Sequence, residues 1–433
     1  MGKSLNNILV TIGGPESSPG TPESRTHVLP ITGLPGFRET PDKAEDPAII
    51  GRNMAAGEYL MAKDLSGGIP ITPRCCGGFG KLLNSLFGQE GTPAQIGGLI
   101  RVCYGGAEDS CKIVASASGD TLASNVGDLG SESGDSNFGT AGVIDLTDPA
   151  TDTLDELIAV IDAYSDYECE KIFEDTTTAV DAADIIDITY SQGNEKWVYI
   201  WFGSSTSGVY LHKWEVDLTN TERPHYSLQI DNVHDNFLDA GVVIDGLSLS
   251  GAIKGMIEGA VDNAIGMSRT GSQSPSSETL EDVDPLRYSD GGFALGGNDY
   301  NFIRNFNIKF SNNCDSEGFG QGSLSRQYIE KGKFTCEGDF SFRFDSNMVT
   351  ERAKVFNNSR VALSTYYKAK DLVAGIPEFM LIELPHLQLS DYQESDNGGK
   401  VDGQINFKAV YPKGTVYDAP VTVCILTTDS GAY

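Results

Sequence analysis

Three stretches in the C-terminal half alternate between apolar and polar side chains, and this pattern constrains the chain more than any other feature. In GKFTCEGDFSFRFD, residues 332–345, Phe334, Cys336, Gly338, Phe340, Phe342 and Phe344 share one side; Lys333, Thr335, Glu337, Asp339, Ser341 and Arg343 share the other. In KVDGQINFKAVY, residues 400–411, Val401, Gly403, Ile405, Phe407 and Ala409 oppose Asp402, Gln404, Asn406 and Lys408. Further upstream, Lys254, Met256, Glu258, Ala260 and Asp262 oppose Gly255, Ile257, Gly259 and Val261. Strand side chains project to opposite faces with a period of two, so each stretch reads as a long strand with one dry and one hydrated face. A shorter strand precedes each: LSLS (247–250), FNIKF (306–310) and LPHLQLS (384–390). The unit of short strand, connection and long strand thus occurs three times.

A chain of 433 residues predicts two or three domains. With 50 glycines and few helical periodicities, the composition favours a mainly β protein. Residues 1–50 are rich in Gly, Pro, Ser and Thr, and 15–50 hold seven of the 18 prolines. They read as an extended N-terminal arm that gains burial only from a neighbouring molecule. FGKLLNSLFG (79–88) predicts a short helix ended by Gly88, and SNMVTERAKVFNN (346–358) predicts another. Residues 100–195 read as an inserted α+β domain that divides the main β domain into 51–99 and 196–433. Between 105 and 195 there are 21 acidic and only two basic residues, a net of −19. Within this insert, Thr153 and Glu156 predict a capping box at the start of a helix with Leu154, Leu157, Ile158 and Ile161 on its apolar face. The loop at 268–299 joins two strands expected to pair and is far longer than a hairpin needs.

Catalytic patterns are missing from the sequence. No phosphate-binding Walker loop occurs, and GFGQG (318–322) lacks the dinucleotide spacing and its βα setting. NCDSEG (313–318) resembles the start of a calcium loop, but the twelfth position is Leu324 rather than glutamate. His234, between Asp231 and Asp235, has no second histidine at metal-ligand spacing. The reading is therefore non-enzymatic, with no metal and no cofactor. The eight cysteines read as buried free thiols, although Cys103 and Cys111 are near enough in sequence to bridge. The apolar run ILVTI is too short for a signal-peptide core, and no stretch approaches a membrane span, so synthesis in the cytoplasm is expected. A net charge of −30 disfavours binding to phosphate backbones.

Four segments resemble the tail tube proteins of long-tailed bacteriophages, a family related to type VI secretion tubes. They are ILVTIGGPESSPGTPES (8–24), FGKLLNSLFG (79–88), LHKWEVDLTNTERPHYSLQID (211–231) and GVVIDGLSLS with IKGMIEGAVDNA (241–264). The resemblance implies a β-sandwich or barrel protomer with a flanking helix, assembled into hexameric rings that stack into a DNA-conducting tube within the virion tail. It implies as partners other copies of the chain, the tape measure, tail terminator and baseplate proteins, and duplex DNA in transit. On this reading Lys254, Glu258, Asp262, Lys333, Glu337, Asp339, Arg343, Asp402 and Lys408 are candidates to face the lumen. Thr279, Leu280, Leu286 and Tyr288, in the long loop, are candidates for contacts between rings, and the acidic insert projects from the tube exterior. Two other readings remain open: the tube of a contractile injection device or gene-transfer particle, and a surface carbohydrate-binding β protein.

Overall fold

The computed structural model describes residues 8–45, 58–88, 90–192, 196–216, 223–232, 235–343, 346–357, 359–396, 400–411 and 418–433. His234 and Phe344 lie outside them. Strands β1 (Leu9–Gly13), β2 (Arg25–Val28), β3 (Arg38–Glu45) and β4 (Glu58–Ile71) lead into helix α1 (Gly77–Phe87). The acidic region follows with β5 (Ala94–Tyr104), β6 (Ser110–Ser116), β7 (Thr121–Gly127), β8 (Ser133–Gly134), β9 (Val143–Asp145), α2 (Leu154–Asp162), β10 (Tyr167–Glu174), β11 (Ile188–Gln192) and β12 (Trp197–Gly203). Next come β13 (Tyr210–Glu215), β14 (Tyr226–Asp231), β15 (Asn236–Ala252), β16 (Glu258–Gly266), β17 (Ser268–Thr270), β18 (Gly291–Leu295) and β19 (Asn298–Asp299). The chain finishes with β20 (Ile303–Ser311), β21 (Thr335–Arg343), α3 (Ser346–Asn357), β22 (Arg360–Val373), β23 (Ile376–Asp396), β24 (Val401–Ala409) and β25 (Thr422–Thr427).

The protein is mainly β, as its alternating stretches predict. Eight strands are consecutive antiparallel neighbours in the order β3, β4, β16, β15, β20, β21, β24, β23. The other edge of β23 pairs with β22, and its first half also pairs with β25, which continues the sheet to β13 and β5. This sheet folds over one large core without closing, so the expectation of a barrel within the protomer is corrected to an open sheet. The physical reason lies at its edge: among the described residues β3 pairs with β4 alone, and its side chains are almost all exposed. Pro41 and Lys43 in β3 are residue types that discourage further strand addition.

The alternation sets the core. Phe306, Ile308 and Phe310 of β20 join Cys336, Phe340 and Phe342 of β21 and Ile405 and Phe407 of β24 in the buried cluster. Gly338 and Gly403 lie among these side chains because rings and backbone fill the space beside them. A Cβ on Gly338 would sit 2.1 Å from the Asn307 carbonyl oxygen, and one on Gly403 would sit 2.6 Å from the Phe342 ring. Helix α1 packs into the same core through Phe79, Leu82, Leu83, Leu86 and Phe87. It ends as predicted at Gly88, whose φ of 104° suits glycine and whose N–H donates to the Asn84 carbonyl.

Several local expectations change. The supposed short strands 247–250 and 384–390 are the interiors of β15, with 17 residues, and β23, with 21. Register shifts at Gly246 let β15 pair with β14 on one side of the bend and with β20 on the other. The strands flanking the 268–299 loop do not pair with each other, because β15 lies between β16 and β20. The N-terminal segment finds burial within its own chain. There β1 pairs with β2 and β14, and Val10 and Ile12 are fully buried, because the ILVTI run supplies enough apolar surface for a core position.

In the acidic region β6, β7, β8, β9 and β11 form a separate sheet, and α2 carries the predicted capping box. Here β10 and β12 flank β5, and Cys103 is the cross-strand partner of Trp197, so the two ends of the region lie side by side. An apolar seam of Phe173, Trp197, Tyr199 and Trp201 packs it against Phe379, Leu381, Cys424 and Leu426. Arg101 stitches the seam's rim: its guanidinium lies 4.0 Å over the Trp197 ring and pairs with Glu170 and Asp299.

The contact at Gly338 makes a testable case. Gly338→Ala forces backbone apart from backbone and should cost about 2 kcal/mol. Asn406→Ala, on the hydrated face of the neighbouring strand, should cost less than about 0.5 kcal/mol. Urea unfolding of the three proteins measures both, and equal midpoints for Gly338→Ala and the parent would contradict the packing account.

Candidate functional site

The hydrated face of the sheet is built by six successive strands: β16, β15, β20, β21, β24 and β23. Their registers set polar side chains opposite one another in rows. One row runs Ser248, Lys309, Glu337, Lys408, Gln388. The next runs Glu258, Ser250, Asn307, Asp339, Asn406, Ser390. A third runs Asn305, Ser341, Gln404, Gln393. No aromatic side chain occurs in these rows.

Hydrogen bonds within the face hold its side chains against the sheet. Ser248 Oγ donates to Asp262 at 2.9 Å, Ser341 Oγ to Asn305 at 2.7 Å, and Gln404 Nε2 to Asp339 at 3.1 Å. At one end Asp402, nearly buried, receives Arg304 at 3.1 Å and Arg343 at 4.0 Å. The face therefore mixes amides, hydroxyls and charges of both signs. The chain's large negative charge is not concentrated there.

Of the residues the sequence nominated, Glu258, Asp262, Glu337, Asp339, Arg343, Asp402 and Lys408 lie on this face. Lys333 is exposed in the loop just before β21. Lys254 is not part of a strand: it occupies the turn between β15 and β16 with φ of 67°, and the alternation running through Gly255 and Met256 concealed that turn. Sequence reasoning passed over Ser248, Ser250, Asn305, Asn307, Lys309, Gln388 and Ser390. For all but Asn305 the signal was present in LSLS, FNIKF and LPHLQLS, which alternate as the longer stretches do.

The two ends of the sheet carry different exposed apolar groups. Near the start of β20 and β24 are Ile253, Met256, Phe302 and Val401, with Phe302 61% exposed. At the opposite end are Leu324, Tyr328 and Tyr411, and there the β3–β4 hairpin runs beyond the sheet with Tyr59, Leu60 and Met61 exposed.

The segment between β17 and β18 is fastened along its own protomer. Ser276 N–H donates to Asp231 at 2.6 Å, Glu281 accepts from Gly77 N–H at the start of α1 at 3.0 Å, and Ile257 N–H donates to the Leu286 carbonyl at 2.9 Å. Thr279 and Leu280 are exposed. Leu286 is fully buried, and Tyr288 donates to the Ile303 carbonyl at 2.7 Å and stacks on Phe306, so both face their own core.

The chain matches, over residues 6–409, the sequence profile of the family described as phage tail tube protein. It belongs to that family. No curated protein matches it. A tail tube protein is a structural component of the phage tail in the virion, and the hydrated sheet face described above is the surface that this role brings into question. Among the described residues no helix is long and apolar enough to cross a membrane.

One anchor of the 271–287 segment is set to titrate near neutrality. The Asp284 N–H donates to both Glu378 carboxylate oxygens, at 3.1 and 2.9 Å. Burial pushes the Glu378 carboxyl up from the ordinary value of 4.5 to about 7, against the opposing pull of that N–H, Lys370 and Arg74. Between those two values the folded protein keeps a proton that the unfolded chain releases. This contribution is therefore present below pH 4.5 and is lost as pH rises through about 7. Glu378→Gln keeps an acceptor for Asp284 and removes the titration. Measured by urea midpoints, the parent should weaken relative to Glu378→Gln between pH 5 and pH 8; a constant difference would show that Glu378 does not titrate there.

Proposed function

We propose that this tail tube protein self-assembles into stacked, hexameric rings whose hydrated six-strand face lines a lumen that conducts DNA into the host. The observation that carries the reading is that face: polar in every row, free of aromatic rings and mixed in charge. A passing duplex meets no hydrophobic surface to stick to and no uniform cationic surface to which its phosphates would adhere. Burial of Phe306, Phe340, Phe342 and Phe407 behind it fixes the face as a wall.

The two dissimilar apolar ends support stacking. A protomer with different surfaces at its two ends makes head-to-tail contacts, which continue indefinitely when they do not close. Exposed apolar clusters at both ends give such contacts their driving force. The exposed Thr279 and Leu280 remain candidates for the ring interface; Leu286 and Tyr288 would first have to leave the core. The tape measure, tail terminator and baseplate would meet the tube at its lumen and ends.

On this reading the acidic region sits outside the tube. It covers β22, the first half of β23, β25 and β13, whereas the hydrated rows run onto the second half of β23, from Gln388 onward. Its charge of −19 is screened readily when projected into solvent and would be costly in a lumen.

Negative-stain microscopy of the concentrated protein should show rings or tubes. An epitope inserted at Gly130, in an exposed turn of the acidic region, should be decorated by antibody along the tube wall. Particles that remain monomeric at every concentration would overturn assembly. Intact tubes on which the epitope is inaccessible would overturn the placement of the acidic region.

A further inference from the structure

The charges of the hydrated face are arranged by strand. Lys309 lies on β20 and Lys408 on β24, and β21 between them presents Glu337 in the same row. Asp339, also on β21, follows one row along, between Asn307 and Asn406. Directly opposed residues on neighbouring strands have Cβ atoms about 5 Å apart, well within the roughly 10 Å screening length at moderate salt. Each lysine therefore has the Glu337 carboxylate as its cross-strand neighbour. Across these three strands the cations Arg304, Lys309, Arg343 and Lys408 face the carboxylates Glu337, Asp339 and Asp402, close to balance. Asp402 is already engaged by the two arginines, so Glu337 and Asp339 are the carboxylates left to offset the lysines.

We propose that Glu337 and Asp339 keep the conduit from adhering to DNA, by holding the potential of β20, β21 and β24 near zero where Lys309 and Lys408 would otherwise form a phosphate-binding belt. This rests on the reading that the hydrated face lines the lumen. A lysine neutralised by an adjacent carboxylate releases little when it meets a phosphate. An uncompensated one exchanges its counterions with the duplex and gains affinity that falls steeply with salt. Repeated around a ring, two such lysines per protomer would surround the duplex at a single level of the tube. Glu337 and Asp339 add nothing to the core, since both project from the hydrated side of β21.

The test assembles tubes of the Glu337→Gln/Asp339→Asn variant, and of the parent, in the presence of a fluorescent duplex of mixed sequence, then digests outside DNA with nuclease. The expected result is at least about tenfold more protected duplex in the variant at low ionic strength, lost as salt is raised. Adding Lys309→Gln and Lys408→Gln should return protection to the parent level. Glu337→Ser/Asp339→Ser, which extends the serine character of neighbouring positions, should behave as the amide variant does and serves if that variant assembles poorly. Variant tubes that protect no more duplex than the parent overturn the proposal while leaving the conduit reading intact. Variant tubes that bind duplex in a nuclease-sensitive form place the face on the outside, and overturn the conduit reading together with the proposal.

Discussion

The structure depends on one constraint, the register that locks β20, β21 and β24 together. Phe306 opposite Phe340, Phe340 opposite Ile405, and Gly338 opposite both Ile308 and Phe407 leave a single alignment in which the rings fill the core. A slip of one residue along any of these strands would turn every ring to water and every carboxylate to the interior. The same alignment that packs the aromatics therefore also composes the rows on the other side. Core and surface are two readings of one register, and the hydrated face is as well specified as the core behind it.

The rest of the molecule is built outward from this sheet. Helix α1 seals the core, and the bend at Gly246 lets one strand, β15, belong to both the hydrated wall and the pairing that holds the N-terminal β1 through β14. On another side, β25 and the first half of β23 are buried on both faces, by the main core and by the aromatic seam of the acidic region. The acidic region is attached through a continuous strand, β5, that pairs on both edges, and this gives it a fixed orientation relative to the wall.

Much of this was legible in the sequence where local physics decides the outcome. The alternation of 335–343 and 401–409 gave two strands and their faces, Gly88 gave the end of α1, and Thr153 with Glu156 gave the start of α2. Illegible features were those set at a distance. Lys254 carries the right residue type for a hydrated strand position, and only the pairing of β15 with β16 makes it a turn. LPHLQLS reads as a short strand of its own, yet it is the interior of β23, which starts at Ile376 and runs through both Pro377 and Pro385. Leu286 and Tyr288 looked like exposed loop residues because nothing in their neighbourhood reveals that the loop is drawn down by Glu281, Glu378 and Ile257. Of the hydrated face, the charged residues were nominated and most of the amides and serines were not, although the latter occupy most of the rows.

In the proposed tube, the rows of β20, β21 and β24 line an enclosed channel. Size-selective thiol labelling tests it most directly. Asn307→Cys in a Cys314→Ser background places one accessible thiol in the middle row, because the other seven native cysteines are buried. In isolated protomers this thiol should react with both a small maleimide and a maleimide coupled to a large protein. In assembled tubes it should still react with the small reagent, which enters the channel, and be closed to the large one. Equal reaction with the large reagent before and after assembly would place the face on the outside of the particle and overturn its assignment to the channel.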